Sequence, residues 1–330
     1  MDNYDLIFSL GKKILEGNQL TFDEALSLTT IEESDIPILL GVANKIREKF
    51  TGSYVDTCQI LNARSGNCTE DCKFCAQSAH HDVEVDVYPL MNENAIVQAA
   101  QRAEADSAYR FCVITSGCGM EGDRDFEKIT AAIEKIGQET TLERCCSLGT
   151  LQEQHVAALK KAGITRYHHN LETSESHFSE ICTTHTYEDR INTIKRVKAA
   201  DIEVCSGGII GMGETWRQRI ELAFTLKELD VDSVPINVLN PIKGTALENQ
   251  EKLNPMEILQ TFAIFRMILP TKIIRYAGGR EHNLGELVPL GFLSGVNGML
   301  IGHYLTTQGR GASKDLQTVT DLGLKLLKNA

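Results

Sequence analysis

The chain has 330 residues and a formal net charge of −12, enough length for one large domain or two ordinary ones and a poor match for a nucleic-acid-binding surface. Its N-terminus (residues 1–5) is acidic and lacks the basic flank and apolar stretch of a signal peptide, and no apolar run approaches the roughly 18 residues of a membrane span, so a cytoplasmic chain without a membrane partner is expected. In such a chain ten cysteines read as metal or redox groups, not as a disulfide framework.

Residues 1–50 carry apolar residues at helical spacing over 7–15, 21–28 and 36–50, with Thr21 or Ser34 available as caps, and predict a helical N-terminal extension. From Tyr54 onward short β-rich runs alternate with amphipathic stretches. The predicted strands are 55–62, 109–115, 141–148, 165–171, 202–207, 233–239, 272–276 and 298–302. Helices are predicted near 94–105, 126–137, 152–162, 187–200, 215–229, 255–269 and 284–293, with Gly163 closing one and Pro255 opening another. The fold class expected is α/β: a parallel (β/α)8 TIM-type barrel forming one catalytic domain over 51–330. An open doubly wound sheet is the rival, but no G-x-G-x-x-G follows the first strand.

A cysteine loop occupies that place. Cys68, Cys72 and Cys75 are spaced C-x3-C-x2-C, which puts three thiolates on one short segment and leaves a cubane cluster one ligand short. An open metal corner points to chemistry. The alternative is a structural zinc site completed by His80 or His81. Cys112, Cys145 and Cys205 fall in the second, third and fifth predicted strands. Each alone reads as a small buried hydrophobe; together, on separate barrel strands, they converge on the interior as a candidate second metal centre.

The loop resembles the signature of the radical S-adenosylmethionine (SAM) superfamily, in which an aromatic residue, here Phe74, precedes the last cysteine. The resemblance implies a [4Fe–4S] cluster whose open iron is chelated by SAM, and a 5′-deoxyadenosyl radical made by cleaving it. Longer blocks (CTEDCKFCAQS, RFCVITSG, HHNLETS, VCSGGIIGMGET, SVPINVLNPIKGT) resemble the biotin synthase family over about residues 54–307. That likeness implies insertion of sulfur into dethiobiotin, with Cys112, Cys145, Cys205 and Arg275 holding an auxiliary [2Fe–2S] cluster as sulfur donor. It also implies SAM contacts at Phe74, Asn170, Glu172, Ile209 and Asn240, and substrate contacts at Asn170, Asn237, Thr306 and Thr307. A homodimer and a flavodoxin or ferredoxin reductant follow from the family as well. Another radical SAM enzyme, such as a maturase or an amino-acid mutase, is the near alternative, and a zinc-binding scaffold the distant one.

Three departures stand out. His168 replaces an asparagine usual in the family, and reads either as an altered contact or as a solvated strand-end residue. Glu172 stands where aspartate is common. Cys118 and Cys146 are extra: strand alternation sends Cys146 to the helix side if Cys145 faces inward. Cys118 is expected as an alternative fourth thiolate of a four-iron auxiliary cluster. Cys58 reads as first-strand core and Cys182 as a helix or loop residue, with no function assigned to either.

Overall fold

In the computed structural model, which describes residues 2–119 and 123–328, three helices precede the first strand. They are α1 (Asn3–Leu15), α2 (Phe22–Ser27) and α3 (Ile36–Thr51). Thr21 caps α2 through a full capping box with Glu24. Ser34 caps nothing: a 3-10 turn over Glu33–Asp35 runs into α3, which starts with Pro37 in its first turn.

The strand–helix alternation then begins with β1 (Tyr54–Arg64), α4 (Glu93–Ala105), β2 (Arg110–Thr115), α5 (Asp123–Glu139), β3 (Glu143–Ser147) and α6 (Glu153–Lys161). It continues with β4 (Arg166–His168), α7 (Glu175–Ile181), α8 (Tyr187–Ala199), β5 (Glu203–Cys205), β6 (Gly208–Ile210) and α9 (Trp216–Glu228). The last third holds β7 (Ser233–Val238), α10 (Pro255–Ile268), β8 (Ile273–Tyr276), α11 (Arg280–Leu284), α12 (Val288–Leu293), β9 (Gly298–Leu300), α13 (Ala312–Asp321) and β10 (Lys325–Leu326). Every strand pairing is parallel, and β1 pairs with both β2 and β9, which closes the barrel. β5 and β6 occupy one barrel position, since both pair with β7, Cys205 opposite Ser233 and Gly208 opposite Ile236. The break falls at Gly207, where a Cβ would sit 1.9 Å from the Pro235 carbonyl oxygen, so only glycine permits it. No helix among the described residues is long and apolar enough to cross a membrane.

The helix expected over 284–293 is two helices. Gly285, at φ 52°, and a 3-10 turn over Gly285–Leu287 end α11, and Pro289 starts α12. The short α7, the C-terminal α13 and the two-residue β10, which pairs with the start of β1, were not expected.

Each barrel strand sends alternate side chains inward. Cys145 faces the cavity, whereas Cys146 packs in the shell between sheet and helices. In that shell Arg266 of α10 is fully buried and donates to the carbonyls of Leu269, Pro270, Lys272 and Gly295 and to Asn297 Oδ1, at 2.7–3.1 Å. Removing it takes a donor from all five, and among the described residues only Leu269 O, which keeps Lys272 N–H (3.3 Å), and Asn297 Oδ1, which keeps Ile274 N–H (2.9 Å), have a second one. Arg266→Met is therefore expected to cost about 3 kcal/mol, read as a lower urea midpoint with an unchanged m-value.

Candidate active site

A cavity of about 390 Å³ runs from the C-terminal mouth of the barrel into its interior. At the mouth, β1 feeds the cysteine loop, and Cys68, Cys72 and Cys75 all line the cavity. Local backbone bonds fold the loop: Cys68 N–H donates to Gln77 O (3.0 Å), Ala79 N–H to Cys68 O (2.7 Å) and Cys75 N–H to Cys72 O (2.9 Å). The segment after α7 anchors it from outside. Lys73 N–H donates to Ile181 O (3.0 Å), and Asp71 accepts from Thr183 N–H (2.9 Å) and Thr184 N–H (3.3 Å). All three loop cysteines are free thiols, and burial holds Cys75 up to about 11. A neutral buried thiol gives up its proton to a metal cation, so the donor set fits a cluster with one protein ligand missing.

Deeper in, the inward residues form two layers. The lower layer is charged: Asp56 Oδ1 accepts from Arg275 Nη2 (2.7 Å) and Asp56 Oδ2 from Arg166 Nη1 (3.2 Å). Above it, Cys58, Cys112 and Cys145 pack together, and Cys205 lines the same cavity. Cys112 and Cys145 are directly paired across β2 and β3. Burial pushes the Cys205 thiol up, but His168 and the Arg275 and Arg166 guanidiniums outweigh it and bring Cys205 to about 7. His168 thus faces the interior beside Cys205 and is not a solvated strand-end residue.

Phe74, Asn170, Glu172, Ile209, Asn237, Thr306 and Thr307 lie along the cavity wall between these two groups of cysteines. Asn170 Oδ1 accepts from Gly207 N–H (3.1 Å) and its Nδ2 donates to Glu172 (3.2 Å), so the carboxamide braces the β5–β6 break. Glu172 holds a left-handed φ of 68° and pairs with Arg190 at 3.6 Å, which in turn donates to Asn170 O (2.8 Å). Such a conformation in a non-glycine residue is retained where surrounding contacts fix it, and it clusters at functional sites. Asn237 bridges Gly208 O (3.3 Å) and Gly278 N–H (2.8 Å). Asn240 is not in the wall. β7 ends at Val238, and Leu239 packs with Ile181, Ile209 and Met212, so Asn240 lies beyond the strand end and does not line the cavity.

Two further expectations change. Cys118 does not join the barrel cysteines. Its sulfur groups with Glu70 and His185 at the mouth, because Gly119 bridges to Thr150 and the Cys118 carbonyl accepts Thr150 N–H (2.6 Å), tying this loop to the rim. The histidines offered for zinc are engaged elsewhere: His80 Nε2 contacts Thr69 O (2.9 Å) and His81 Nδ1 contacts Cys75 O (2.9 Å). The sequence reading also passed over Cys182, whose Sγ stands 3.7 Å from Cys72 Sγ and 3.3 Å from His185 Nδ1. Asp56, Arg166, Arg190 and Glu70 were missed as well. Only a charge in a β-rich run (Asp56 in β1, Arg166 in β4) signalled any of them in advance.

The Radical SAM superfamily matches residues 63–226, and the Biotin and Thiamin Synthesis associated domain matches residues 235–325. A biotin synthase of Carboxydothermus hydrogenoformans is 56% identical, covering 98% of this chain and 100% of the relative. One of Clostridium acetobutylicum is 53% identical, covering 98% and 99%. Among solved structures, a methylornithine synthase superposes with a TM-score of 0.82 at 18% identity over 97% of this chain and 98% of its own. The FeFe-hydrogenase maturase of C. hydrogenoformans does so with a TM-score of 0.81 at 18% identity over 97% and 79%. These two share the fold. With full-length identity above one half to curated relatives and a barrel cavity that joins both groups of cysteines, this chain belongs to the biotin synthase family of the radical SAM superfamily.

Proposed function

We propose that this barrel converts dethiobiotin to biotin in one chamber, with Cys68, Cys72 and Cys75 holding a [4Fe–4S] cluster and Cys112, Cys145 and Cys205 holding an auxiliary iron–sulfur centre. The observation that carries the reading is the continuity of the cavity, which both sets of thiols line. When bound, the first cluster and SAM supply a radical hydrogen abstractor and the auxiliary centre supplies sulfur; an unactivated C–H bond gives no side chain a proton to remove at neutral pH. The chain's own residues position the reactants. Gly208 lets the β6 backbone approach Glu172, where a Cβ would lie 2.4 Å from its carbonyl oxygen, and leaves Ile209 against the wall as an apolar face for SAM. Asn170 and Asn237 brace the two strand ends between the clusters and present amide edges suited to a cyclic urea. Thr306 and Thr307 supply hydroxyls for the substrate carboxylate. The enclosing walls keep competing hydrogen donors away from the reacting carbon.

The reading extends to a homodimeric cytoplasmic enzyme with residues 1–50 as a helical extension, reduced by a flavodoxin or ferredoxin. The test is an anaerobic assay with dethiobiotin, SAM and a reductant, scored by mass spectrometry. Biotin together with 5′-deoxyadenosine is expected. Deoxyadenosine without biotin overturns the substrate assignment, and neither product overturns the radical chemistry.

A further inference from the structure

The barrel interior carries four thiols, and one of them has no role in the arrangement described so far. Cys58 lies on β1 with the inward parity of Asp56 and Ile60 and is 5% exposed. It packs directly with Cys112 and Cys145, while Cys205 stands on the same wall. Its neighbours are therefore two thiols, the apolar side chains of Ile60, Ile114 and Leu300 packed against the same cluster, and the cavity.

Arg275 is placed differently. All three guanidinium nitrogens are directed to oxygen acceptors below the thiols. Nη2 donates to Asp56 Oδ1 (2.7 Å), Nη1 to the Asp56 and Met299 carbonyls (3.1 and 3.2 Å) and Nε to Ser233 Oγ (3.4 Å). To ligate iron, a guanidine must expose a nitrogen lone pair and so lose a proton. A carboxylate 2.7 Å away in a buried site stabilises the protonated form instead. Asp56, the two carbonyls and Ser233 thus engage the guanidinium nitrogens of Arg275, which also borders the cavity beneath the thiols.

We infer that Cys58 is the fourth protein donor of the auxiliary centre, completing a four-thiolate set with Cys112, Cys145 and Cys205, and that Arg275 serves as a buried counter-cation held by Asp56. The inference rests on the reading above that these three cysteines hold a second centre. Four thiolates are the usual complement of both two-iron and four-iron clusters. They also carry more negative charge than three, which the Arg275 and Arg166 guanidiniums beneath them offset.

The test compares wild type, Cys58→Ala, Cys58→Ser and Arg275→Lys as full-length chains reconstituted anaerobically, with iron and sulfide counts, Mössbauer spectra and SAM cleavage to 5′-deoxyadenosine. Wild type is expected to hold iron beyond the four of the SAM cluster. Cys58→Ala is expected to lose that extra iron while retaining four irons and SAM cleavage, which also reports that the barrel has folded. Cys58→Ser is expected to keep the iron with a shifted Mössbauer signature, because an oxygen donor replaces sulfur on one iron. Arg275→Lys is expected to keep the wild-type auxiliary spectrum. An auxiliary spectrum unchanged in both Cys58 variants overturns the assignment of Cys58, and loss of the auxiliary spectrum in Arg275→Lys overturns the counter-cation role. A wild type with four irons only overturns the reading of a second centre itself.

Discussion

Cys75→Ala is expected to reduce both biotin and 5′-deoxyadenosine formation to background, roughly a thousandfold, which corresponds to about 4 kcal/mol of barrier. The loss follows from geometry and donor chemistry. The loop supplies three thiolates to a cubane that needs four ligands in all, so removing one leaves two protein donors and an iron pair open to solvent. Cys75 is a cleaner choice than Cys72, because Cys182 Sγ stands 3.7 Å from Cys72 Sγ and offers a substitute thiolate at that corner. Cys75 has its backbone tied to Cys72 and Ser78, and its sulfur faces the cavity. Iron analysis should show about four irons fewer per chain, with any auxiliary iron retained. Dethiobiotin binding to the variant, measured by calorimetry, should be less affected than turnover, since Asn237, Thr306 and Thr307 lie on other segments of the wall. Retained SAM cleavage in Cys75→Ala is the result that removes the loop from the chemistry.

The barrel could be read from the chain because several of its strands are largely buried and appear as short apolar, β-branched runs, such as Val113-Ile114-Thr115 in β2, between helical periods. The cysteine loop was equally plain because its three donors are local. Residues joined across sequence distance were hidden. Cys72 and Cys182 are 110 positions apart, and no spacing rule links them. Cys118 follows the second strand and reads as another barrel thiol until the bridge from Gly119 to Thr150 ties its loop to the rim beside Glu70 and His185. Cys58 was assigned to the core by its place in an apolar strand, and the core it faces is the cavity. Alternation fixes which residues share a face but not what that face encloses. The same limit applies to Asp56: its charge in a β-rich run marks it as unusual, but only the fold shows the two arginines it serves, at positions 166 and 275, closing around it.

That lower layer carries the second large effect. Asp56→Asn is expected to destabilise the protein by about 3–5 kcal/mol, because it leaves Arg166 and Arg275 facing one another as buried cations without their carboxylate. The three side chains are only 4%, 3% and 2% exposed, so water cannot take over the lost charge. Glu203 still reaches Arg166 (2.9 Å), but it is half exposed and does not touch Arg275. The pH dependence has a defined sign. Burial pushes the Asp56 carboxyl up, but the Arg275, Arg166 and Arg110 guanidiniums outweigh it and hold the group well below the ordinary carboxylate range. A depressed folded-state pKa contributes stability that is full above the unfolded value, near pH 4, and is lost as pH falls toward the folded one. The gap in unfolding free energy between wild type and Asp56→Asn should therefore be constant from pH 8 to about pH 5 and shrink below about pH 4. Urea unfolding at several pH values measures it. A gap that widens on acidification, or none at pH 7, would mean that Asp56 does not hold the charge beneath the thiols.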